Sequence, residues 1–312
     1  MTQKQLLRIG RWLLSVIILL YLIQRLYELR TELIGEGIAL VSPFGLLSSL
    51  ILLLLYNSVL SLPWFFCYRR GSGTSIALRS GWTFFQLSQL GRYLPGRVGQ
   101  FVWMLSFSRS FGIEKTSAVL ATCLQLAFQC GLGVIVGVAV LWDANISPLH
   151  TLEGHLEMVR KGIRLGGIVI VVLGVGAFLY RRRIAAAVPH LKKLFRAMFL
   201  VRLIGLYILL WGLLGIAFFL FIRGFSPVST SQLFRVTGIY AIAWSFGFLS
   251  VVTPSGLGVR EGVLSLLLTS VLPPATATLI ALLSRLWTLS AELLIGGVAF
   301  GLSLRQRHIQ HT

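Results

Sequence analysis

The sequence predicts an all-α integral membrane protein, with about seven transmembrane helices and two re-entrant broken-helix hairpins. Three observations predict it. Of 312 residues, 56% are hydrophobic and 12% charged, about half the charged share of a soluble domain, and mean hydropathy is +0.86. The apolar residues gather in stretches of roughly 20, the length at which a helix crosses a bilayer. Two further apolar stretches are interrupted at Pro and Gly. No soluble domain of about 100 residues fits between these segments, so residues 1–312 are expected to form one polytopic domain.

The elements follow in chain order. Lys4, Arg8 and Arg11 precede an apolar stretch with no small-residue cleavage site, which reads as an uncleaved signal-anchor helix. Span 1 runs from about Trp12 to Tyr27, followed by a loop with Glu28, Glu32 and Glu36. Span 2, about Phe44 to Phe66, closes at Arg69 and Arg70. Residues 80–108 form the first broken stretch. Span 3 is about Thr116 to Leu141, and Asp143, Glu153 and Glu157 follow in a loop. Span 4, about Gly162 to Tyr180, ends at Arg181-Arg182-Arg183 and opens a basic linker over 181–202. Span 5 is about Leu203 to Ile222, and span 6 about Leu233 to Val252. The second broken stretch covers about 253–272, and the last span about Ala275 to Leu302.

Charge orients these elements. The net charge is +19, and the basic residues sit in blocks beside apolar spans, as expected for anchoring against an anionic leaflet. No nucleic-acid motif accompanies them. With the N-terminus inside, the cytoplasmic segments hold 19 of the 28 Lys and Arg residues, which is the positive-inside pattern. Six of the nine acidic residues fall in the two outside loops. Both termini are therefore expected on the cytoplasmic face of the inner membrane. The assignment requires residues 80–108 to enter and leave on one side.

The first broken stretch carries Gly91-Arg92-Tyr93-Leu94-Pro95-Gly96-Arg97 between two apolar pieces of about 12 residues, each too short to span. In the second, Pro254-Ser255-Gly256-Leu257-Gly258-Val259-Arg260-Glu261-Gly262 plays the same part. Pro95 and Pro254 each remove a backbone donor, and Gly96, Gly256 and Gly258 permit turns. Irregular backbone at membrane depth survives only inside protein or beside a wet cavity. Paired interrupted segments point to a transport site and leave an inverted repeat open. The half-helix N-termini are expected to aim their positive dipole ends into that cavity. The alternative is two kinked hairpins with no ligand.

Charges within these stretches narrow the ligand. Arg285 and Glu292, seven residues apart in the last span, share a helix face. Each charge at mid-bilayer costs about 2.5–3.5 kcal/mol, so none is expected to face lipid. The interior set is Arg92, Arg97, Arg260, Arg285, Glu261 and Glu292, with Tyr93 and Gln100 beside it. Its surplus of arginine favours an anion, and Arg grips phosphate oxygens in a planar fork. A lipid phosphate is the natural anion at this depth. Arg285–Glu261 and Glu292–Arg97 read equally as buried pairs that hold helices together.

The remaining features are plainer. Gln86, Gln89, Gln100, Gln125 and Gln129 read as interhelical hydrogen-bonding residues. Gly133-x-x-x-Gly137 and Gly297-x-x-x-Gly301 read as small-residue packing motifs. Cys67, Cys123 and Cys130 match no metal spacing and read as packing residues. No catalytic set, metal site or cofactor is expected.

The two broken motifs resemble the paired signatures of the flippase-like membrane domain of lysyl-phosphatidylglycerol synthases, which also occurs as a stand-alone family. The family pattern is Gly-aromatic-x-Pro-Gly-basic early and Pro-Gly-Gly-Leu-Gly-x-Arg-Glu late. This chain has Ser255 where Gly is commoner and Arg97 where Lys is also common. The resemblance implies movement of a phospholipid or polyprenyl-phosphate lipid between leaflets. It also implies that the aminoacyl-transferase activity of the fused enzymes is absent. Three readings stay open: a lipid flippase, a membrane subunit recruiting a lipid-modifying enzyme through the 181–202 linker, and an enzyme acting on a lipid phosphate. A homo-oligomer is open in all three.

Overall fold

A computed structural model describes residues 42–93, 99–142, 197–250 and 258–311, with Leu20, Gln24, Tyr27, Glu28 and Gly256. Span 4, nearly all of span 1 and most of the basic linker lie outside the described residues. Every regular element among the described residues is helical. Four helical stretches are long and apolar enough to cross a membrane: Pro43–Ser72, Lys115–Ala139, Ala197–Arg223 and Pro274–Arg305. The chain is a multi-pass membrane protein.

The first stretch is two helices, α1 (Pro43–Val59) and α2 (Ser61–Ser72). Ser42 caps α1 by accepting the Gly45 N–H at 3.0 Å, with Pro43 at the first helical position. The join at Leu60 has a direct cause: Pro63 has no N–H to give the Val59 carbonyl. Arg69 and Arg70 occupy the last turn of α2, where they meet the negative end of the helix dipole.

α3 (Leu78–Leu90), a 3-10 turn (Gly91–Tyr93) and α4 (Gly99–Ser108) make up the first broken stretch. α3 and α4 pack against each other. Gly91 permits the contact, since a Cβ there would lie 2.6 Å from Trp103 Cβ. α5 (Lys115–Trp142) and α6 (Ala197–Arg223) are the next two long helices.

α7 (Leu233–Leu249) and α8 (Val259–Leu268) form the second broken stretch, and α9 (Pro274–His311) closes the chain. α7 covers most of the segment predicted as span 6, and α8 lies within the predicted break at 253–272. α7 and α8 pack side by side. Gly256 (φ +68°) and Gly258 (φ +82°) take backbone conformations that side chains disfavour. A Cβ at Gly256 would also collide with the Gly247 carbonyl.

Contacts fix which ends lie together. Ser42 N–H donates to the Gly224 carbonyl at 3.3 Å, joining the start of α1 to the end of α6. At the opposite end, Glu114 N–H donates to the Tyr68 hydroxyl at 3.1 Å, and Arg70 lies over the Phe199 ring. α3 starts near this second end and reaches Gly296 through Leu90. α7 starts near the first end, as Gly137 of α5 meets Gly238 and Ile242. α8 returns towards that end, where Ser265 meets Thr278 at 2.9 Å. α3 and α7 therefore start at opposite ends of the bundle.

Aromatic side chains fill the centre. Trp64, Tyr68, Phe84 and Phe85 are buried together, and Trp64 donates to Thr122 at 3.0 Å. Phe218, Phe221, Tyr240 and Trp287 form a second cluster. Ile51, Leu55, Ile208, Leu209, Leu293 and Leu294 point outward, where bilayer hydrocarbon replaces water as the solvent.

The two small-residue motifs divide. Gly133 packs on Trp211 and Ser245, and Gly137 on Ile242. Gly297 and Gly301 are exposed and face open space. Gly137→Leu should therefore overpack the α5–α7 contact, at about 1–3 kcal/mol, whereas Gly301→Leu should leave stability near wild type. Melting temperatures of the two purified variants, followed by size-exclusion chromatography after heating, check the contrast.

Candidate functional site

A cavity of about 410 Å³ lies in the middle of the bundle. Every long helix among the described residues reaches it, as do both broken stretches. α1 contributes Tyr56 and Asn57, and α5 contributes Gln125 and Gln129. From the first broken stretch come Gln89, Arg92, Gln100 and Phe101; from the second, Tyr240, Trp244, Gly247, Gly256 and Arg260. α9 adds Arg285, Thr288 and Glu292. Among the described residues, three arginines and one carboxylate on the wall leave a surplus of two positive charges.

Each arginine is held differently. Arg92 donates from Nε to the Gln89 carbonyl at 3.1 Å and from Nη2 to the Gln89 side-chain oxygen at 2.8 Å. Its Nη1 lies 3.4 Å from Glu292 Oε1. Arg260 is 7% exposed, donates to the Tyr240 hydroxyl at 2.6 Å, and sits 5.0 Å from that ring's centroid. Its Nε is buried without a hydrogen-bond partner. Gly247 makes room for it, since a Cβ there would stand 2.7 Å from Arg260 Cβ. The guanidinium of Arg285 has no ion pair or hydrogen bond among the described residues.

Glu261 departs from the expectation. Its carboxylate does not line the cavity, and it makes no pair with Arg285 among the described residues. It is 1% exposed, and Oε2 accepts the Gly258 N–H at 2.8 Å, capping its own helix. A carboxylate therefore already occupies the positive end of α8, and anion attraction at this wall comes from arginine. Gly258 shapes the turn and does not line the cavity. Tyr93 lies in the 3-10 turn. Pro95, Gly96, Arg97, Pro254 and Ser255 lie outside the described residues.

The glutamines split by role. Gln86 donates to the Asn57 carbonyl and Gln129 to the Tyr56 hydroxyl, both at 2.8 Å, tying α3 and α5 to α1 as expected. Gln89 serves Arg92 within its own segment. Gln125 is 1% exposed, and its side-chain oxygen has no partner. Sequence reasoning missed Tyr56, Asn57, Gln125, Gln129 and Tyr240 as cavity residues. One signal was available: Gln125 and Gln129 are four apart, on one face of an apolar helix.

The profile described as the lysylphosphatidylglycerol synthase TM region covers residues 9–296. The chain belongs to this family. As a member of the lysylphosphatidylglycerol synthase TM region, it has a membrane-lipid-related role. Comparisons with curated proteins and with solved structures give no match.

Proposed function

We propose that this protein is a lipid transporter that moves an anionic, phosphate-bearing lipid between leaflets through the central cavity. The observation that carries this reading is the surplus of two positive charges on a wall built from both broken stretches. Charge at this depth is costly, so a protein that concentrates arginine there has a use for it. Arg260 and Arg285, with Arg97 and Tyr93 from the first break, hold the phosphate, and Gln100 adds a polar contact. Arg92 and Glu292 keep each other in place. The acyl or prenyl tails stay in lipid.

On this reading the chain crosses six times, at α1–α2, α5, α6 and α9 and at spans 1 and 4 as read from the sequence. The α3–α4 and α7–α8 pairs are re-entrant, one from each side. An even count returns both termini to the cytoplasmic face of the inner membrane, which seven crossings do not. Residues 1–312 act as one domain, and the charge of the basic 181–202 segment suits an anionic leaflet.

Vesicles reconstituted with the purified protein and doped with labelled anionic or neutral lipids provide the test. The expected result is faster exchange of anionic phosphate lipids than of neutral ones, by about tenfold or more. Equal rates for both, or no exchange by well-folded protein, would rule out the transporter reading.

A further inference from the structure

The cavity's charge and hydrogen-bonding character restrict the headgroup further, on the premise that the cavity handles a lipid phosphate. Its only carboxylate among the described residues, Glu292, already has Arg92 beside it at 3.4 Å. The rest of the positive wall is Arg260 and Arg285. α5 adds Gln125 and Gln129, which are polar and uncharged. An amine-bearing headgroup would add positive charge to a site whose one carboxylate is engaged. Like charges repel, and the repulsion strengthens where protein replaces bulk water.

Two buried atoms say what is wanted instead. Arg260 Nε is a donor without an acceptor, and the Gln125 side-chain oxygen is an acceptor without a donor. Both residues line the cavity and are more than nine-tenths buried. Unsatisfied buried polar atoms are rare and call for a partner. A phosphate oxygen completes the first and a hydroxyl completes the second. The volume of about 410 Å³ lies in the range of small-ligand sites, with room for both groups.

We propose that the cavity selects lipids whose headgroup joins a phosphate to uncharged hydroxyls, as in a glycerol or sugar phosphate, and rejects headgroups that carry an amine.

Equilibrium binding of four lipids to the purified full chain in detergent tests this: phosphatidylglycerol, phosphatidic acid, phosphatidylethanolamine and lysyl-phosphatidylglycerol. Phosphatidylglycerol should bind about tenfold or more tightly than either amine-bearing lipid, and more tightly than phosphatidic acid. Gln125→Met should bring the ratio of phosphatidylglycerol to phosphatidic acid affinity towards one. Gln125→Glu supplies a carboxylate, and it should raise binding of the amine-bearing lipids several-fold. This gain keeps the test decisive if the Met variant folds poorly. Equal or tighter binding of the amine-bearing lipids by wild type would overturn the selectivity and leave lipid handling standing. Binding of none of the four by folded protein would overturn both.

Discussion

Arg260→Ala is expected to abolish charge-selective lipid exchange in reconstituted vesicles while the protein stays folded. Arg260 lines the cavity, is 7% exposed, and has Nε unpaired. Charge-assisted hydrogen bonds are worth about 1.5–3 kcal/mol each, or about 10- to 150-fold in phosphate affinity. The fold loses less. Truncation removes the contact with the Tyr240 hydroxyl, but Tyr240 lines the cavity, and water entering the space left by the arginine can take over that hydrogen bond. Arg260→Lys keeps the charge without the planar fork, so it should retain partial exchange. Tyr240→Phe removes only the hydroxyl and should have a milder effect than either. Exchange rates, read beside melting temperatures, separate the outcomes. Wild-type exchange in Arg260→Ala would remove the cavity from the path. Loss of folded protein would make Arg260 a structural partner of Tyr240.

Glu261→Ala should show the opposite signature, with folded protein lost before any question of transport arises. Its carboxylate is 1% exposed and satisfies the Gly258 N–H at 2.8 Å. Removing it leaves that donor buried and unpaired at about 1–3 kcal/mol. The favourable contact with the positive end of α8 is also lost, at up to about 2 kcal/mol in a partly buried setting. The backbone here has little tolerance, since Gly256 and Gly258 both hold positive φ and Gly256 abuts the Gly247 carbonyl. Glu261→Gln keeps an acceptor oxygen and loses only the charge, so its melting temperature should fall between wild type and Glu261→Ala. A Glu261→Gln variant with wild-type stability and no exchange would assign Glu261 a part in transport rather than in capping.

The contrast between Arg260 and Glu261 shows where the sequence stops. They are adjacent and equally polar in an apolar stretch, so composition treats them alike. On a helix, neighbours differ by about 100°, and at a first turn one of them can reach back to the backbone. Arg260 faces the cavity and Glu261 folds onto Gly258. The same limit explains the glycine motifs. Gly133-x-x-x-Gly137 and Gly297-x-x-x-Gly301 have one pattern, yet the first meets α7 and the second faces open space. Spacing states that two residues share a face, not what that face meets.

The sequence by itself determined the class and the elements. Membrane spans are legible because each helix satisfies its own backbone and shows lipid an apolar surface, conditions that operate within one segment. Spans 2, 3 and 5 and the last span were found close to their helices, and the two Pro-Gly breaks marked the stretches that reach the cavity. Tertiary structure alone decided that Leu233–Leu249 packs along α8 and brings Tyr240 and Trp244 to the cavity, because length and hydropathy state only that the segment is apolar. It also decided that Arg92 meets Glu292 and that Gln125, Tyr56 and Tyr240 join the arginines around one cavity. These contacts join residues far apart in the chain, so they depend on how helices pack against each other, and no local pattern encodes that.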